Sequence, residues 1–113
     1  MDAKTSDVLP ELDKTIQARR QSSPDVSYVK QLLDAGEDKI LKKVIEEAGE
    51  VLMASKDGDK LHLSKEVADV WFHTLVLLNY HGLTSEDVLM ELKRRMNISG
   101  IDEKKSRKGN AAH

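Results

Sequence analysis

The segment Ile40-Leu41-Lys42-Lys43-Val44-Ile45-Glu46-Glu47-Ala48-Gly49-Glu50-Val51-Leu52, answered after a short turn by Glu66-Val67-Ala68-Asp69, decides the fold. Its apolar residues recur with a period close to 3.6, which predicts an amphipathic helix beginning near Glu37 or Asp38. Lys56-Asp57-Gly58-Asp59 reads as a turn so short that the next helix must return antiparallel. That helix, about Lys60 to Tyr80, is amphipathic in its first half. From Val70 to Leu78 it is apolar nearly all round, so burial on several sides is expected.

Outward from this hairpin the same signals continue. Toward the N-terminus, Ser6 or Asp7 can cap a helix that tolerates Pro10 in its first turn and carries Leu9, Leu12 and Ile16 on one stripe. Ser23-Pro24 reads as the start of a second helix, with Tyr28, Val29, Leu32 and Leu33 on one face and Gly36 as its stop. Toward the C-terminus, Gly82 ends the long helix, and Thr84-Ser85-Glu86-Asp87 resembles a capping box with Asp in the fourth place. A fifth helix then carries Val88, Leu89, Leu92 and Met96. No stretch alternates with period two. The expected fold is all-α, a bundle of about five helices over residues 1–98, followed by a basic, flexible tail over 99–113.

The chain has 113 residues, which is one small domain. Its 18 basic and 20 acidic side chains leave a net charge of -2, against the basic excess of proteins built around nucleic-acid phosphates. With no cysteine, disulfides, thiolate metal sites and Cys nucleophiles are excluded. The first residues have no apolar run of the kind a signal peptide needs, and the apolar stretch near Trp71 is too short to span a bilayer. A soluble cytoplasmic protein is expected. A fourth helix apolar on more than one side is hard to cover in a monomer of this size, so a homodimer sharing a helical core is expected too.

The acidic residues carry the chemistry. Glu47 and Glu50 are three apart on one helix, and Glu66 and Asp69 are three apart on the next, so each pair shares a helix face. The turn at residues 56–59 sets the two pairs opposite one another. Four converging carboxylates repel unless a cation joins them, and all-oxygen ligation suits Mg²⁺ or Mn²⁺. The competing account is a solvated acidic surface, with Glu46 and Glu47 paired to Lys42 and Lys43 four residues earlier. His73, four residues after Asp69, reads either as an orienter of that carboxylate or as a satisfied core histidine. The Glu-x-x-His pairs of di-iron bundles are absent, which argues against a redox metal.

Glu-Glu-x-x-Glu at Glu46, Glu47 and Glu50, followed by Glu-x-x-Asp at Glu66 and Asp69, resembles the motif of the all-α, MazG-like nucleotide pyrophosphohydrolases. Ser27-Tyr28, Phe72-His73, Gly82-Leu83 and the ending with Arg107-Lys108 are similar, more narrowly, to the phosphoribosyl-ATP pyrophosphatases of histidine biosynthesis. Gly49 departs from a good helix interior, and close approach of another helix would account for it.

The resemblance implies Mg²⁺-dependent hydrolysis of the α–β phosphoanhydride of phosphoribosyl-ATP, giving phosphoribosyl-AMP and pyrophosphate. It implies Glu47, Glu50, Glu66 and Asp69 as metal ligands and Glu46, Glu47 and Glu50 as the catalytic acids. Lys39, Lys42, Lys43, His73, Arg107 and Lys108 would meet the anionic substrate, with Lys43 favoured among them. Two other readings stand beside it: a dNTP pyrophosphatase on the same fold, and a non-catalytic dimeric helical module.

Overall fold

The computed structural model describes residues 4–96 and residue 98. A single 3-10 turn, Thr5–Asp7, leads into α1 (Val8–Arg19). The chain continues through α2 (Tyr28–Ala35), α3 (Glu37–Asp57), α4 (Lys60–Tyr80) and α5 (Ser85–Arg95). There is no strand among the described residues. The boundaries of α3 and α4 follow the hydrophobic period and the turn chemistry. Gly58 sits at φ +75°, a conformation that a Cβ disfavours, and the Asp59 carboxylate accepts the His62 main-chain N–H at 3.0 Å to open α4. Only Gly58 and Asp59 separate the two helices, so they fold back on each other as an αα-hairpin with the most extensive helix contact among the described residues.

Two local expectations change. Ser23-Pro24 does not start α2. The Ser23 hydroxyl instead accepts the Asp25 N–H at 3.2 Å in a turn, and the true cap is Ser27, which accepts the Lys30 N–H at 3.1 Å. Gly49 does not mark a close helix approach: it is exposed, and a Cβ there would meet nothing within 4 Å. The proposed cap of α5 is present, with the Thr84 N–H donating to Asp87 at 2.9 Å. A further partner comes from α1, where the half-buried Asp13 carboxylate accepts both the main-chain N–H and the hydroxyl of the buried Ser85.

The core forms where α1 and α2 close over the hairpin. Ile16, Val29, Leu32, Ile40, Leu75 and Val76 are its buried members. At the far end of α4, Arg20, just past the end of α1, donates to the Asn79 side chain at 2.7 Å and to the Asn79 carbonyl, which fixes the end of α1 to the last turn of α4. These contacts cover one side of the hairpin. Large apolar groups on both arms nevertheless stay in solvent: Ile45 is 72% exposed, Leu52 61%, Leu61 68% and Trp71 58%. The Val70–Leu78 segment is therefore buried at His73, Leu75 and Val76 but open at Trp71. No helix among the described residues is long and apolar enough to cross a membrane.

Candidate active site: three carboxylates across the hairpin

The hairpin brings Glu47 of α3 together with Glu66 and Asp69 of α4. One carboxylate oxygen from each lies within 4.8 Å of the others. Glu47 and Glu66 are half-buried and Asp69 is exposed. Gathering three like charges has a visible consequence. Partial burial first, then Asp69 and Glu66, raise the affinity of Glu47 for a proton above the usual carboxylate value of 4.5, while His73 and Lys43 pull the other way.

The donor set fits the expected cation. All donors are hard carboxylate oxygens, and ligands about 2.1 Å from an octahedral Mg²⁺ stand roughly 3 to 4.2 Å apart. The observed spacing of up to 4.8 Å is thus a small side-chain rotation away. A cation would also relieve the repulsion felt at Glu47.

The remaining candidates divide. Glu50 is exposed on the next turn of α3 and stands outside the 4.8 Å group. Glu46 is exposed as well, and pairs with Lys43 at 3.7 Å rather than with Lys42. At about 100° of helical rotation per residue, Lys39 and Lys43 flank the Glu47 side of α3 whereas Lys42 is turned well away. Lys43 is half-buried and the other two lysines are exposed. Arg107 and Lys108 lie outside the described residues.

His73 is buried, and both of its ring nitrogens have partners. Nδ1 is 2.8 Å from the Asp69 carbonyl oxygen, which can only accept, so Nδ1 carries the hydrogen. In the neutral ring Nε2 then accepts from the Tyr28 hydroxyl, 3.0 Å away. Tyr28 is stacked on Phe72 with ring centroids 6.5 Å apart. His73 is thus tied to α2 and to the main chain of its own helix, with no bond to the Asp69 carboxylate, the arrangement of a satisfied core histidine rather than of an orienter or a substrate contact.

Two polar neighbours of the site make contacts that the sequence reading does not assign to them. Tyr28 reads from the sequence as part of an apolar face and of the Ser27-Tyr28 pair that carries the resemblance, but nothing local marks its hydroxyl for a residue 45 positions away. His62, whose Nε2 lies 3.0 Å from Glu66 Oε1, was readable: it has the same four-residue spacing to Glu66 that His73 has to Asp69.

Residues 9–96 match the family model of phosphoribosyl-ATP pyrophosphohydrolase, a span that holds every helix described above except the first residue of α1. The phosphoribosyl-ATP pyrophosphatase of Chromobacterium violaceum is 64% identical over 107 residues, covering 95% of this chain and 99% of that protein. The corresponding protein of Nitrosospira multiformis is 58% identical over 94% of this chain and 88% of its own length. That of Neisseria gonorrhoeae is 62% identical over 88% and 94% respectively. With the family model matched over residues 9–96 and these relatives 58–64% identical over most of their length, the chain belongs to the phosphoribosyl-ATP pyrophosphohydrolase family.

Proposed function

We propose that this protein hydrolyses the α–β phosphoanhydride of phosphoribosyl-ATP to phosphoribosyl-AMP and pyrophosphate, as a step of histidine biosynthesis. Membership in the family supports the substrate. The single structural observation that carries the chemistry is the meeting of Glu47, Glu66 and Asp69 oxygens within 4.8 Å across two helices. These three would hold Mg²⁺ or Mn²⁺, with Glu50 as a further ligand once its side chain swings toward Glu47 from the next turn. A divalent cation there supplies charge neutralisation at the phosphate oxygens and makes water more acidic. Glu46, exposed beside the cluster, is our candidate acceptor for the proton of the attacking water. Lys43, on the same side of α3 as Glu47, draws the triphosphate toward the acids, with Lys39 one turn beyond.

The test is pyrophosphate release by the purified protein, with and without Mg²⁺, from phosphoribosyl-ATP and from a panel of dNTPs. Release from phosphoribosyl-ATP that depends on Mg²⁺ supports the proposal. Preference for dNTPs would move the assignment to a nucleotide-pool pyrophosphatase, and no turnover of either would leave a non-catalytic helical module.

The active unit is a homodimer in this reading. The support is the exposed apolar stripe Leu41, Ile45, Ala48 and Leu52 on α3, at the i, i+4, i+7, i+11 spacing of a helix–helix seam. Trp71 also lines, with Leu9, Leu78 and Leu92, an open apolar groove of about 280 Å³. A cytoplasmic location accompanies a biosynthetic role of this kind.

A further inference from the structure

His62 lies one helical turn before Glu66 on α4, and its backbone is fixed by the Asp59 cap at the hairpin turn. Its ring is half-exposed, while the Glu66 side chain that it meets is only 16% exposed. An ionised carboxylate can only accept, so the 3.0 Å contact requires that Nε2–H donate to Glu66 Oε1. His62 itself stands outside the group of oxygens that lie within 4.8 Å of one another, so it holds one of the three acids without being one of the convergent donors. The two histidines of α4 thus differ in kind: His73 grips a main-chain carbonyl, whereas His62 grips a carboxylate that faces the site.

We infer that His62 is a positioning residue that orients the Glu66 carboxylate toward Glu47 and Asp69 and so strengthens the site for a divalent cation. One oxygen of Glu66 is engaged by an N–H, which restricts the rotation of an otherwise flexible side chain and leaves the remaining lone pairs for the cation. The donated hydrogen bond also offsets part of the repulsion among the three acids before a cation arrives. Outer partners that orient ligating carboxylates are typically worth 10- to 100-fold in metal affinity. A ring on the surface should fall at the lower end. This inference rests on the reading of the three acids as a cation site.

The experiment is Mn²⁺ binding by the full chain without substrate, with free Mn²⁺ followed by electron paramagnetic resonance. His62→Ala should weaken binding by about 10-fold, and His62→Gln, which keeps an N–H donor on a side chain of similar reach, should recover most of it. Glu66→Ala should be weaker still, and adding His62→Ala to it should change nothing more, because the histidine acts through that carboxylate. Wild-type affinity in His62→Ala, or a His62 effect that persists in the Glu66→Ala background, would overturn the positioning role while leaving the cation site intact. Absence of Mn²⁺ binding by the wild-type chain would remove the cation site itself, and the inference with it.

Discussion

At the scale of single residues, Glu47 carries the most information. Its carboxyl holds a proton more tightly in the folded protein than in the unfolded chain, because burial and two neighbouring acids oppose its charge. Without metal, then, its contribution to stability falls as pH rises from the unfolded value of 4.5 through the higher folded value. Glu47→Gln should abolish this penalty. We expect the metal-free variant to melt above metal-free wild type near neutral pH, with the difference vanishing below about pH 4, and to lose at least ~100-fold in activity. Thermal melts across pH in a chelator, with the pyrophosphate assay beside them, check both halves. The opposite case is Glu91, which Arg94 and Arg95 hold down to about 2, so its stabilising effect persists above 4.5 and is lost only as pH falls through that low value. Gly49 gives a simpler expectation. Nothing occupies the space that its Cβ would take, so Gly49→Ala should raise stability by about 0.5–1 kcal/mol, read from denaturant midpoints.

At the scale of elements, the site depends on how helices end. The α3–α4 hairpin closes through two residues, and Gly58 at φ +75° is the one that only glycine adopts without strain. Gly58→Ala should cost about 1 kcal/mol or more and should raise the Mg²⁺ concentration needed for half-maximal activity, since Glu47 and the Glu66–Asp69 pair come from opposite arms. A parallel loss at α2 isolates the effect of stability alone. Ser27→Ala removes the cap that holds the Lys30 N–H and should cost about 1 kcal/mol in denaturant unfolding with the Mg²⁺ requirement unchanged. A shift in the Mg²⁺ requirement of both variants would mean that general destabilisation explains the first.

At the scale of the whole molecule, the exposed apolar side chains define what remains to be covered. Ile45 on α3 and Trp71 on α4 are more than half exposed although both lie in segments with core-like hydrophobicity. Ile45→Glu or Trp71→Glu should convert the proposed dimer to monomer in light scattering coupled to size exclusion, by placing a charge in an apolar seam. A wild-type chain that is already monomeric at micromolar concentration would end the dimer proposal.

Much of this protein is legible in its sequence because helices answer to local rules. The 3.6-residue period located α3 and α4, the Gly58-Asp59 punctuation located their turn, and three-residue spacing put Glu66 and Asp69 on one face. Local rules were weaker at the start of α2: Ser23-Pro24 carries the cap signal, yet Ser27 caps the helix in the folded chain. What the sequence by itself determined is the set of helices and the hairpin that must bring acids from both arms together. Only the tertiary structure decided that Glu47 rather than Glu50 completes the close group, and that Tyr28 and Asp13 find partners on distant helices. The reason is physical: spacing along one helix fixes which side chains share a face, but the rotation of one helix against another decides which of those faces meet.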